Sequence, residues 1–148
     1  MVRSKRLKPI QEMAQNKEKA AAKEMGESLH NRQLQEQKLE QLKTYRQEYL
    51  FEMEQQTKIG VSGSRLQQYH QFLAKLDLAI SQQKETIERC NQQLDASKGR
   101  WTNQRNKTKT ITQVMQKLQH KEMQNQNKKE ANRIDEMSTQ AFIRQHAK

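Results

Sequence analysis

Site chemistry in this 148-residue chain would have to be built mainly from four histidines and one cysteine. His30, His70, His120 and His146 are far apart, and none has a second His, a Cys or a carboxylate at the spacing a zinc site uses. They read as solvated positions. Cys90 has no second cysteine to bridge to, and a free Cys at an apolar position packs as a small hydrophobe. No glycine-rich phosphate loop, nucleophile motif or carboxylate constellation is present, so the sequence predicts no enzyme, no cofactor and no metal.

Binding chemistry is better represented. Lys and Arg outnumber Asp and Glu by 28 to 17, a net charge of +11, which suits acidic partners or reads simply as a solvated basic face. Lys98, Arg100, Arg105, Lys107 and Lys109 surround Trp101, a mixture that nucleic acid could use through stacking and phosphate contacts. Trp101 also lies on an apolar ladder, which makes it a packing residue first. A second aromatic group, Tyr45, Tyr49 and Phe72, belongs with aliphatic neighbours and points instead to a protein-binding surface.

Long helices must position these groups. From Leu66, alternate steps of three and four residues reach Tyr69, Leu73, Leu76, Ile80, Gln83, Ile87, Cys90, Leu94, Ser97, Trp101, Gln104, Thr108, Ile111, Met115 and Leu118. Twelve of these sixteen positions are apolar, and the residues between them are mostly polar. This 3.5-residue repeat makes a narrow seam that needs one partner strip. With a hydrophobic fraction of 32% the chain cannot fill a globular core of usual size, and a coiled coil needs only the seam.

A more polar ladder runs from Ala14 through Glu18, Ala21, Met25, Ser28, Arg32, Gln35, Leu39, Leu42, Arg46 and Tyr49 to Met53. Between the two runs, Ile59-Gly60-Val61-Ser62-Gly63-Ser64 is a turn signal. Ser64 with Gln67 fits a capping box, and Ser62 is a competing cap. A connection this short forces antiparallel neighbours. The expected fold is all-α, a single long antiparallel two-helix coiled coil, with helix 1 at about 9–57, a turn at about 58–63 and helix 2 at about 64–142. Pro9 suits a helix start. Helix 2 is expected to extend alone beyond about 112, by roughly 30 residues or 45–50 Å at 1.5 Å per residue. A parallel dimer of long helices would use the same heptads, though the short turn favours the hairpin. No signal peptide and no membrane-spanning run are read, which places the chain in the cytoplasm.

Near the turn the apolar stripe widens to two ladders. A pivot near residue 60.5 sets Leu42 opposite Ala79, Tyr45 opposite Leu76, Tyr49 opposite Phe72 and Lys38 opposite Gln83. Two helices bury one seam, so the second ladder is expected to form an apolar and aromatic band that binds a protein, unless it only thickens the core.

The segments Leu42-Lys43-Thr44-Tyr45-Arg46-Gln47-Glu48-Tyr49, Gly60-Val61-Ser62 with Arg65, and Tyr69-His70-Gln71-Phe72-Leu73 with Leu76, Ala79, Ile80 and Gln82 resemble the flagellar FliJ family. Trp101 among basic residues and Asp135-Glu136 near the end also match, so the resemblance covers nearly the whole chain. It implies a coiled coil similar to the central stalk subunit of rotary ATPases, acting in the bacterial flagellar type III export apparatus. It further implies a cytoplasmic protein, peripherally associated with the cytoplasmic face of the inner membrane at the flagellar base. The implied partners are the hexameric export ATPase FliI, the cytoplasmic part of the export gate protein FlhA, and escort chaperones. The implied role is to help couple ATP hydrolysis to subunit export.

By the same resemblance, the gate-binding surface maps onto Lys38, Leu42, Tyr45, Tyr49, Phe72, Leu76, Ala79 and Gln83. The family tends to carry Gln at the position of Lys38 and His at that of Gln83. The end remote from the turn would enter the ATPase ring, with Lys17, Lys19, Lys23, Lys121, Lys128, Lys129 and Arg133 meeting acidic loops. Two rival readings stand beside this one. The first is the stalk of a virulence-type secretion system; the second is a basic nucleic-acid-binding coiled coil, whose binding would fall steeply with salt.

Overall fold

A computed structural model describes residues 2–147. Helix α1 spans Val2–Ile59 and helix α2 spans Gly63–His146, and no strand occurs among the described residues. The connection is Gly60-Val61-Ser62. Gly60 takes a φ of 109°, which L side chains rarely adopt, and its N–H closes on the Gln56 carbonyl at 3.0 Å. This is a glycine C-cap. Of the two candidate N-caps, Ser62 caps α2: its Oγ accepts from the Arg65 N–H at 3.2 Å and its carbonyl from the Leu66 N–H at 3.0 Å.

The start of α1 differs from the expectation placed on Pro9. The helix begins at Val2 and carries Pro9 inside it, so the Lys5 carbonyl loses its helical donor. What holds the preceding turns is a polar anchor described below.

Packing divides the chain into two units. The first is Ala20–Thr102, in which the α1 and α2 segments run antiparallel. Its seam follows the two ladders: Tyr69, Leu73, Leu76, Cys90, Leu94 and Ser97 are buried, and every other ladder position here is half-buried. Polar seam residues are satisfied across it. Ser28 and Ser97 meet through their hydroxyls at 2.9 Å, and Gln83 Nε2 donates to the Gln35 carbonyl at 2.8 Å and side-chain oxygen at 2.9 Å. Asn31 Nδ2 lies 3.5 Å from Cys90 Sγ. Arg46 pairs with Asp77 at 2.6 Å, and Arg100 pairs with Glu24.

The second unit comprises Met1–Lys19 and Asn103–Lys148. Here the α1 seam is Ser4, Leu7, Gln11, Ala14 and Glu18, and only Ser4 and Ala14 are fully buried. Hydrogen bonds replace apolar area. The Ala14 carbonyl accepts from Thr108 Oγ1 at 3.1 Å, Gln11 Nε2 donates to Thr112 Oγ1 at 3.2 Å, and Ser4 Oγ donates to Glu122 Oε2 at 2.7 Å. Pairing therefore reaches Glu122, past the boundary expected near 112, because seven helical residues precede Pro9. From Met123 to Ala147 every residue of α2 and its end is exposed, including Ile134, Met137, Phe142 and Ile143.

Candidate docking surface

Because helical seam positions repeat every three or four residues, the residues preceding them share one flank of an antiparallel pair. Two cross-helix contacts in the first unit show it. Tyr45 and Phe72, which precede Arg46 and Leu73, meet edge to face with centroids 6.0 Å apart and planes at 83°. Glu24 and Arg100, which precede Met25 and Trp101, form an ion pair.

On this flank near the turn, Tyr49 links the aromatic group to the seam. Its ring lies 4.5 Å from Phe72 and 5.4 Å from Tyr69. Partial burial, with Tyr69 and then Glu52 nearby, raises the Tyr49 hydroxyl above its ordinary pKa of 10. Tyr45 is 48% exposed and forms the open edge of the group. Phe72 is half-buried between the two tyrosines.

The other residues expected on this surface are placed differently. Leu42 and Ala79 are half-buried, and Lys38 is exposed. Leu76 is 6% exposed and belongs to the seam. Gln83 is turned inward to Gln35 rather than toward Lys38, so its amide is already satisfied within the pair. The surface available to a partner is thus centred on Tyr45, Tyr49 and Phe72, with Leu42, Ala79 and Lys38 around it. Phe51 and Leu78, 62% and 59% exposed, lie off both ladders.

The cations named for the ring contact, Lys17, Lys19, Lys23, Lys121, Lys128, Lys129 and Arg133, are all exposed. Lys23 belongs to the first unit and the other six to the second. The charge itself is divided unevenly. Residues 2–19 and 103–147 carry fifteen Lys and Arg against six Asp and Glu, whereas residues 20–102 carry twelve against eleven. A whole-chain charge hides this division. Among the described residues no cluster of three or more His, Cys, Asp or Glu could hold a metal ion, and no helix is long and apolar enough to cross a membrane.

The flagellar FliJ protein family matches residues 4–147. The chain belongs to the flagellar FliJ family. It is also 22% identical over 138 residues to the flagellar FliJ protein of Escherichia coli strain K12, covering 93% of this chain and 94% of that relative. No solved structure gives a significant match. Membership of the FliJ family identifies a component of flagellar protein export, a family not known for enzymes. The aromatic group and the basic second unit are the features of this FliJ-family chain on which its contacts can be argued.

Proposed function

We propose that this protein is a stalk-like coupling factor of flagellar export, binding the hexameric ATPase FliI through its basic unit and the cytoplasmic part of FlhA through its aromatic flank. In this reading it works at the cytoplasmic face of the inner membrane, also contacts escort chaperones, and helps link ATP hydrolysis to subunit export. The observation that carries it is the Tyr45–Tyr49–Phe72 group: three aromatic rings packed on one another beside the seam, with Tyr45 about half exposed. Packed aromatic anchors on a helix flank are what protein interfaces favour. The excess of cations in the second unit supports an acidic lining as its partner.

The test is binding of the purified chain to the cytoplasmic part of FlhA, comparing wild type with Tyr45→Ala and Tyr45→Ala/Phe72→Ala. Loss of more than about tenfold, or about 1.4 kcal/mol, with helicity retained supports the docking face. Unchanged binding refutes it. For the basic unit, charge reversals at Lys128, Lys129 and Arg133 should abolish stimulation of the ATPase, and undiminished stimulation would remove that contact.

A further inference from the structure

The second unit has a flank of its own that neither the aromatic group nor the exposed tail of α2 accounts for. On α1 the residues preceding the seam are Arg3, Arg6, Ile10, Met13 and Lys17; on α2 they are Asn103, Lys107, Thr110, Val114, Lys117 and Lys121. All eleven are exposed, and none is acidic. Ile10, Met13 and Val114 are 48%, 58% and 44% exposed, and among the described residues they are the only large apolar residues exposed in this unit before Met123. The six cations flank them on both helices and take part in no ion pair among the described residues. The opposite flank, made by the residues following the seam, includes Lys5, Lys8, Glu12, Lys19, Arg105 and Lys109, and its one exposed large apolar residue among the described residues is Met123, after Glu122 at the end of the pairing.

We propose that this flank is a binding site for an anionic phospholipid surface, with Ile10, Met13 and Val114 entering the acyl boundary and the flanking Lys and Arg reaching the phosphates. Aliphatic anchors in line with long cationic side chains are the pattern of helices that lie in a membrane interface. The apolar stems of Lys and Arg can lie beside the anchors while their charges stay in the headgroups. A nucleic acid would gain nothing from three aliphatic side chains facing it and would want a stacking surface that this flank lacks. An acidic protein groove would match the charge, but the flank offers no aromatic anchor of the kind that dominates protein interfaces. Lys17 and Lys121 also belong to the proposed ring contact, so lipid and ATPase would occupy this unit alternately.

The test is co-sedimentation of the full chain with large unilamellar vesicles of phosphatidylglycerol and phosphatidylcholine, with pure phosphatidylcholine as the neutral arm. Binding to the anionic vesicles, absent on the neutral ones and weakened by salt, is expected. Ile10→Ser/Met13→Ser/Val114→Ser should lower it more than tenfold with helicity unchanged, since all three side chains are largely outside the seam. Lys107→Gln/Lys117→Gln should lower it more than Lys8→Gln/Lys109→Gln, which removes the same charge from the other flank. Equal losses from the two lysine pairs would reduce the effect to diffuse charge and overturn the site. No binding to anionic vesicles would overturn it too, as would a triple-serine variant that holds vesicles like wild type while losing the ATPase, which would mark a protein-docking flank.

Discussion

A seam residue that is polar and almost wholly buried invites the substitution that hydrophobic patterning would recommend, and Ser97 provides it. Ser97 is 1% exposed. Its hydroxyl has one proton, which the 2.9 Å contact to the Gln93 carbonyl takes, so Ser28 is the donor in the 2.9 Å contact between the two serines. Ser97→Ala removes the acceptor of Ser28 and should cost about 1 kcal/mol. Ser28→Ala leaves Ser97 bonded to Gln93 and should cost about 0.5 kcal/mol. The double variant has no orphan and should cost less than the sum, a coupling of about 0.5–1 kcal/mol. Ser97→Leu adds an apolar residue to the ladder but drives a larger side chain into filled space, and should cost about 1–3 kcal/mol. Urea unfolding followed by far-ultraviolet circular dichroism measures all four. A leucine that raises the midpoint, or two alanines that add without coupling, would refute the idea that this pair is a fitted polar contact.

Gly60→Ala meets no neighbour within 4 Å, so its cost is that of the φ of 109° alone, about 1–2 kcal/mol, read from the same unfolding curves. Pro9→Ala restores a helical donor to the Lys5 carbonyl; amide exchange over residues 5–13 should slow by about tenfold, or about 1.4 kcal/mol, while residues 66–94 stay unchanged. Tyr49, its pKa raised, should ionise at higher pH than tyrosine in the unfolded chain, read by spectrophotometric titration of wild type against Tyr49→Phe. In the native state Tyr49 keeps its proton at a pH where the unfolded chain has lost it, so this group leaves stability unchanged below pH 10 and lowers it above; Tyr49→Phe should flatten that decline.

The fold was legible because coiled-coil geometry depends on position more than on polarity. All sixteen ladder positions from Leu66 to Leu118 are buried or half-buried, including the polar Gln83, Ser97, Gln104 and Thr108. What an apolar ladder could not reveal was where pairing ends. Beyond Leu118 the seam continues through Glu122, held by the Ser4 hydroxyl, and a Ser opposite a Glu carries no hydrophobic signal. Pro9 obscured the same end, because its preference for a first turn does not prevent helix before it when those residues have an anchor.

The candidate surface was only partly legible, for a related reason. Two adjacent ladders correctly bring Tyr45, Tyr49 and Phe72 together, but a ladder cannot say how far each side chain turns into the seam. Leu76 is consumed by the core and Gln83 by Gln35, and both facts depend on which atoms meet across the pair. The same flank rule, applied to the second unit, picks out Ile10, Met13 and Val114, two residues on one helix and one on the other, too few to register as a stripe on either helix alone. They form a common surface only once the antiparallel pairing is fixed. In a two-helix protein the seam spends most of the apolar residues on folding, so specificity must be written on the flanks. There a single exposed ring or a trio of aliphatic side chains among cations is a larger departure from the surrounding polarity than it would be on a globular surface.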